Sequence, residues 1–174
     1  MAALLKTRTA TVATLVVLVI GCGQKDVDGQ HAAESPESLP RVTLERVGEA
    51  SAPVAEGGDC SLDTINGQPV AAVTLGAGDE ALFVGWVGDP QGQVPSDARL
   101  ILTGDGGMYA APVRTGRDRP DVVDALNKPG LAQSGFGVAT TLAVEPGTYR
   151  VAIAMDSSDA VQCQFDVSLT LAAQ

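Results

Sequence analysis

Basic side chains are scarce: 11 Lys and Arg stand against 21 Asp and Glu, for a formal charge of −10. A chain so acidic lacks the basic footprint that nucleic-acid phosphates require. Histidine is scarcer still. Its single copy, His31, precedes the strand-like part of the chain that begins at Gly57, so that part has no imidazole general base and no Ser-His-Asp or Cys-His arrangement. One His and three Cys are too few for a zinc finger or a His-rich metal centre, and no cofactor is expected. Aromatic residues are only 3% of the chain. That leaves few rings for a sugar-stacking cleft, and a core built from Val, Ala, Leu and Ile. No uncharged apolar run reaches the ~20 residues of a bilayer-spanning helix. What is plentiful is Gly (20) and Pro (10), which favours many turns over long helices.

The N-terminus reads as an export signal. Lys6 and Arg8 form a basic region, and residues 10–20 follow without a charge. As a helix that run spans ~16 Å, about half of a bilayer core, which suits the apolar segment of a signal peptide. It ends in Val19-Ile20-Gly21-Cys22, which resembles the lipobox of bacterial lipoproteins. The resemblance implies that the Cys22 thiol is joined to a diacylglycerol, that the chain is cut before Cys22, and that the new amine is acylated. Each buried CH₂ contributes ~0.8 kcal/mol, and two or three chains give a stable membrane anchor. Gly23 stands where an Asp usually marks retention in the inner membrane, so the resemblance points to the outer membrane of a bacterial envelope. Cleavage removes two of 11 basic side chains and no acid, leaving nine against 21, or −12. Such a surface repels anionic headgroups, so attachment falls to the lipid.

Three segments follow from composition. Residues 1–21 are the lipoprotein signal peptide. Residues 22–56 are the lipidated Cys22 and a flexible, disordered acidic tether punctuated by Pro36, Pro40 and Pro53, able to span ~30 to 35 Å. Within it Val42 and Leu44 alternate with Thr43 and Glu45, as an edge strand or a stray segment would. Residues 57–174 are the folded domain. Short Val-rich runs between turn residues predict an all-β fold, an immunoglobulin-like antiparallel β-sandwich of about seven to nine strands with one short helix. Strands are expected at 60–65, 70–75, 81–87, 99–103, 108–113, 137–143, 148–155 and 161–171. Asn66-Gly67 is a hairpin turn, since both residues tolerate positive φ. Pro120 and Asp121 open a helix that Asn127-Lys128-Pro129-Gly130 stops, with Val122, Val123 and Leu126 on one face. Leu82, Val84 and Trp86 share a strand face, expected to point into the core.

With Cys22 used for lipid, Cys60 and Cys163 form an even pair in an exported domain and read as a disulfide. The order Cys60, Trp86, Cys163 is loosely that of an immunoglobulin domain, but its second gap is too long for the antibody type. Phe83-Val84-Gly85-Trp86, Arg119-Pro120-Asp121-Val122, Ser134-Gly135-Phe136 and Pro146-Gly147-Thr148-Tyr149 also resemble landmarks of β-sandwich modules of bacterial envelope proteins, over about 81–151. That likeness implies the sandwich and assigns no residue a role.

No catalytic motif is present, and the chain is expected not to be an enzyme. Asp156 to Asp159 and Asp105-Gly106-Gly107 offer too few carboxylates for calcium and read as turns. Arg114, Arg117 and Arg119 concentrate positive charge before the helix. They are either a docking site for an anion or partners of Asp118, Asp121 and Asp124. The functional expectation is a non-catalytic binding module for an envelope protein or glycan. The alternatives are an assembly accessory of a secretion or pilus machine, and a carboxylate-based hydrolase.

Overall fold

A computed structural model describes Leu39 and residues 41–48, 54–156 and 159–174. The lipobox-like Val19-Ile20-Gly21-Cys22 and His31, with the expectations that rest on them, lie outside the described residues.

Eight long strands occupy the eight expected places, and five short ones join them. In chain order they are β1 (Arg41–Thr43), β2 (Glu45–Gly48), β3 (Ala55–Glu56), β4 (Asp59–Ile65), β5 (Gln68–Pro69), β6 (Ala72–Gly76), β7 (Glu80–Gly88), β8 (Ala98–Gly104), β9 (Gly107–Val113), β10 (Thr115–Arg117), β11 (Gly135–Thr141), β12 (Gly147–Ala154) and β13 (Val161–Ala172). Helix α1 (Pro120–Leu126) and a 3₁₀ turn (Pro129–Leu131) lie between β10 and β11.

The strands form two sheets. The first runs β1-β11-β7-β4-β5, with β10 also on β11, and the second runs β2-β9-β8-β12-β13-β3, with β6 also on β13. The subset β4-β7-β11-β10 over β13-β12-β8-β9 is the A-B-E-D over G-F-C-C′ arrangement of the immunoglobulin fold. Tyr149 near the start of β12 is buried, and its hydroxyl donates to the Glu145 carbonyl at 2.7 Å. This is the tyrosine corner that pins that fold's turn into its F strand, and it explains why Pro146-Gly147-Thr148-Tyr149 stands out in the sequence.

Three details depart from the sequence reading. The sheets are not wholly antiparallel: β1 on β11, and β3 and β6 on β13, are parallel. The fold also begins before Gly57. The segment assigned to the tether supplies β1 to one sheet and β2 to the other, and Leu44 between them is 5% exposed in the core. The alternation of Val42 and Leu44 marks this segment, but strands of three and four residues carry too little pattern to tell an edge strand from a stray segment. Finally, the face of β7 is reversed. Ala81, Phe83 and Val87 enter the core, while of the expected face Leu82 is buried outside the main core cluster and Val84 and Trp86 are half-buried. Residues 81–87 are apolar on both sides, as in a strand covered on both faces, so alternation cannot tell inside from outside.

Leu62, Phe83, Phe136 and Val138 from the first sheet meet Leu100, Leu102, Val151, Ile153, Phe165 and Leu169 from the second. At one lateral side the chain itself crosses between the sheets through Leu44. At the other, Cys60 on β4 is bonded to Cys163 on β13, with Cα atoms 6.2 Å apart.

Candidate functional site

The residues 114–134 cross from the second sheet to the first and then lie over the outer face of the first. Their conformation follows from local chemistry. Pro120 has no N–H to leave unpaired at the first helical position, and Asn127 ends the helix in the left-handed region at φ 52°. The two arms of the connection then pair with each other. Gly116 N–H donates to the Gln133 carbonyl at 3.0 Å, Arg119 N–H to the Ala132 carbonyl at 2.8 Å, and Gln133 Nε2 to Asp118 at 2.6 Å.

Two ion pairs tie this connection to β4, two strands across the sheet from β11. Arg119 Nη1 meets Asp63 Oδ2 at 2.8 Å, and Lys128 meets Asp59. Leu131 fills the space above Gly88, where a Cβ would come 2.5 Å from its Cδ2. In α1 only Val122 is fully buried, while Leu126 is 37% exposed, so the expected three-residue apolar face is reduced to one firm contact.

The three arginines do not form one anion pocket. Arg117 and Arg119 lie along a floor made by Gly135 and Gly137. A Cβ at Gly135 would lie 3.0 Å from Arg119 Cγ, and one at Gly137 would lie 2.8 Å from Arg117 Nη1 and 2.9 Å from Leu39 Cδ1. Arg117 Nη1 donates to the Phe136 carbonyl at 3.3 Å. The Arg119 side chain is 17% exposed and is held on two sides, by Asp63 and by Asp121 at 2.7 Å. The hydrogen bond to Asp121 raises the Arg119 pKa, and the same bond holds the Asp121 carboxyl below its ordinary value. Arg114 is exposed and has no ion-pair partner among the described residues.

Local pairing thus describes Arg119, but with different partners from those expected. Asp121 takes part, Asp118 binds Gln133 instead, and Asp63 comes from a strand 56 residues away. No local pattern marks Asp63 or Asp59, because their partners are brought close only by the fold. Trp86 belongs to this surface and not to the core. It faces outward, half-buried, on β7 opposite Ser61 of β4 and Gly135 of β11.

A second charged cluster flanks the other sheet. Arg99 of β8 pairs with Asp159 at 2.7 Å. Burial pushes the Asp159 carboxyl up despite this partner, and its Oδ1 is buried without a hydrogen bond. Among the described residues no three His, Cys, Asp or Glu side chains are placed to hold a metal ion, and no helix is long and apolar enough to cross a membrane. No family model, curated protein or solved structure matches the chain.

Proposed function

We propose that this chain is a lipid-anchored, non-catalytic binding module of the bacterial cell envelope, carried on the outer membrane. Its contact surface is the connection 114–134 with Trp86, and its partner is an envelope protein or glycan. The bond between Cys60 and Cys163 carries the reading. A protein disulfide persists in an oxidising compartment, and the lipobox-like Val19-Ile20-Gly21-Cys22 supplies both the route there and the anchor. Core packing commits the inner faces of both sheets, which leaves connections and outer faces for recognition.

The test is crosslinking in a bacterial host between the native lipoprotein and its neighbours. The full chain should partition with membranes and trap an envelope component. Cys22→Ser should accumulate as uncleaved precursor. Normal processing of Cys22→Ser, or a wild-type chain recovered soluble without detergent, overturns the anchor.

One observation favours a protein partner of the assembly-accessory kind. On the side away from β7, residues 59–63 of β4 pair with no described strand, and an open edge admits an added strand. Capture of a glycan by the native chain counts against this second reading.

A further inference from the structure

We infer that residues 41–48 form an exchangeable strap, and that the cleft they fill accepts the same strap from a second copy of this chain. The strap spans both sheets with eight consecutive residues. Thr43 lies opposite Thr141 on the edge of β11, and Glu45 lies opposite Ala110 on the edge of β9. Between them Leu44 is buried in the shared core, and Arg41 closes the end through an ion pair with Glu80.

Three features make this element separable. It is the first strand-forming segment of the described fold, so it leaves without unthreading any other described strand. Six peptide steps join Gly48 to Val54, a reach of up to ~20 Å, which sets where a displaced strap can dock. Its departure uncovers two sheet edges at once, Ala139 to Thr141 and Met108 to Ala110, together with the Leu44 slot. Bare edges of this kind are templates for strand addition. The sequence already fitted to both edges and to the slot is the strap itself. A second copy therefore restores every contact with no new complementarity, which is why exchange of an identical element is a low-cost route to dimers. The inference concerns association between copies and stands apart from the proposed contact surface, which lies on other residues.

The experiment mixes two full-length chains in a Cys22→Ser background, which removes the third thiol, one also carrying Thr43→Cys and the other Thr141→Cys, under mild oxidation. Both positions are exposed, and paired strand positions suit a disulfide. Exchange predicts a covalent dimer that grows with concentration, at least tenfold above a control mixture of Thr43→Cys with Thr148→Cys. A chain with both substitutions, oxidised first, should lock its own strap and stay monomeric. Light and heavy isotope-labelled wild-type chains should form mixed dimers in native mass spectrometry, an arm that needs no substitution. Crosslinking no greater than the control, or wild-type chains that remain monomeric up to ~1 mM, overturns the inference.

Discussion

Replacing Arg119 separates a structural arginine from a docking one. Its guanidinium is largely buried and joins β4 to the start of α1, with Asp63 37% and Asp121 59% exposed at the side chain. Solvent screens the Asp121 pair, so that contact contributes only ~0.5 kcal/mol. The Asp63 contact, more enclosed and hydrogen-bonded, adds roughly 1 kcal/mol. Packing of the side-chain stem on Gly135 adds a few tenths more. Arg119→Gln should therefore destabilise the domain by about 1 to 2 kcal/mol. For a domain of this size that lowers Tm by about 4 to 8 °C. Arg114→Gln removes an exposed cation with no ion pair and should leave Tm unchanged within ~1 °C. Thermal melts by circular dichroism, run beside a partner-capture assay at low and high salt, read both effects. An Arg119→Gln chain that melts like wild type but loses capture would refute the structural assignment. Equal destabilisation by Arg114→Gln would show that the ion pairs are not what holds this connection.

Three further outcomes follow from the geometry. Cys60→Ser with Cys163→Ser opens a 103-residue separation, for which chain entropy sets an upper value of ~4.7 kcal/mol. A loss of about 2 to 4 kcal/mol is expected in denaturant titration, and reductant should act on wild type alone. Tyr149→Phe leaves the Glu145 carbonyl without its 2.7 Å donor and should cost about 1 to 3 kcal/mol, measured the same way. Acid titration should show two opposing carboxylates. Asp121 is held below its ordinary value of 3.8 by Arg119, so its stabilisation is complete above that value and fades as pH falls through its lowered folded value. Asp159 is raised above 3.8 by burial, so its charge opposes folding above its folded value, and that opposition disappears as pH falls towards 3.8. Asp159→Asn should remove the decline in stability with rising pH just above 3.8, whatever constant offset comes from leaving Arg99 unpaired. An unchanged slope would count against the raised Asp159.

The long strands were legible because each carries an apolar stripe at the period of a pleated sheet, and β13 is the clearest case. Phe165, Val167, Leu169 and Leu171 are buried while Asp166 and Ser168 are exposed. Tyr149 and its turn were legible as a motif, though its hydrogen bond was not. β3, β5 and β10 were not legible, since two or three residues hold too little pattern, and β1 and β2 showed only as the alternation of Val42 and Leu44. Trp86 was misplaced for a different reason. Its strand is apolar on both faces, and the covering element, the 3₁₀ turn with Leu131, is some 45 residues away in sequence. The Asp63 and Asp59 ion pairs are tertiary facts, set by how β4 lies beneath the connection.

Charge then narrows what the exposed surface can recognise. At least four of the eight described cations are held in ion pairs: Arg41 with Glu80, Arg99 with Asp159, Arg119 with Asp63 and Asp121, and Lys128 with Asp59. Glu45, Asp97, Asp105, Asp124 and Asp166 are balanced by no ion pair among the described residues, on a chain whose formal charge is −10. The described residues carry 16 acids against eight bases, so a polyanionic partner meets net repulsion from them. A single exposed guanidinium next to the connection gives little steering, and physiological salt screens it within ~8 Å. On the reading proposed above, recognition at this face would rest instead on the half-buried Trp86 and on the β4 edge, where residues 59–63 pair with no described strand on the side away from β7. A neutral glycan suits the first and an extended protein segment suits the second, and neither needs the basic patch that the arginine-rich sequence suggests.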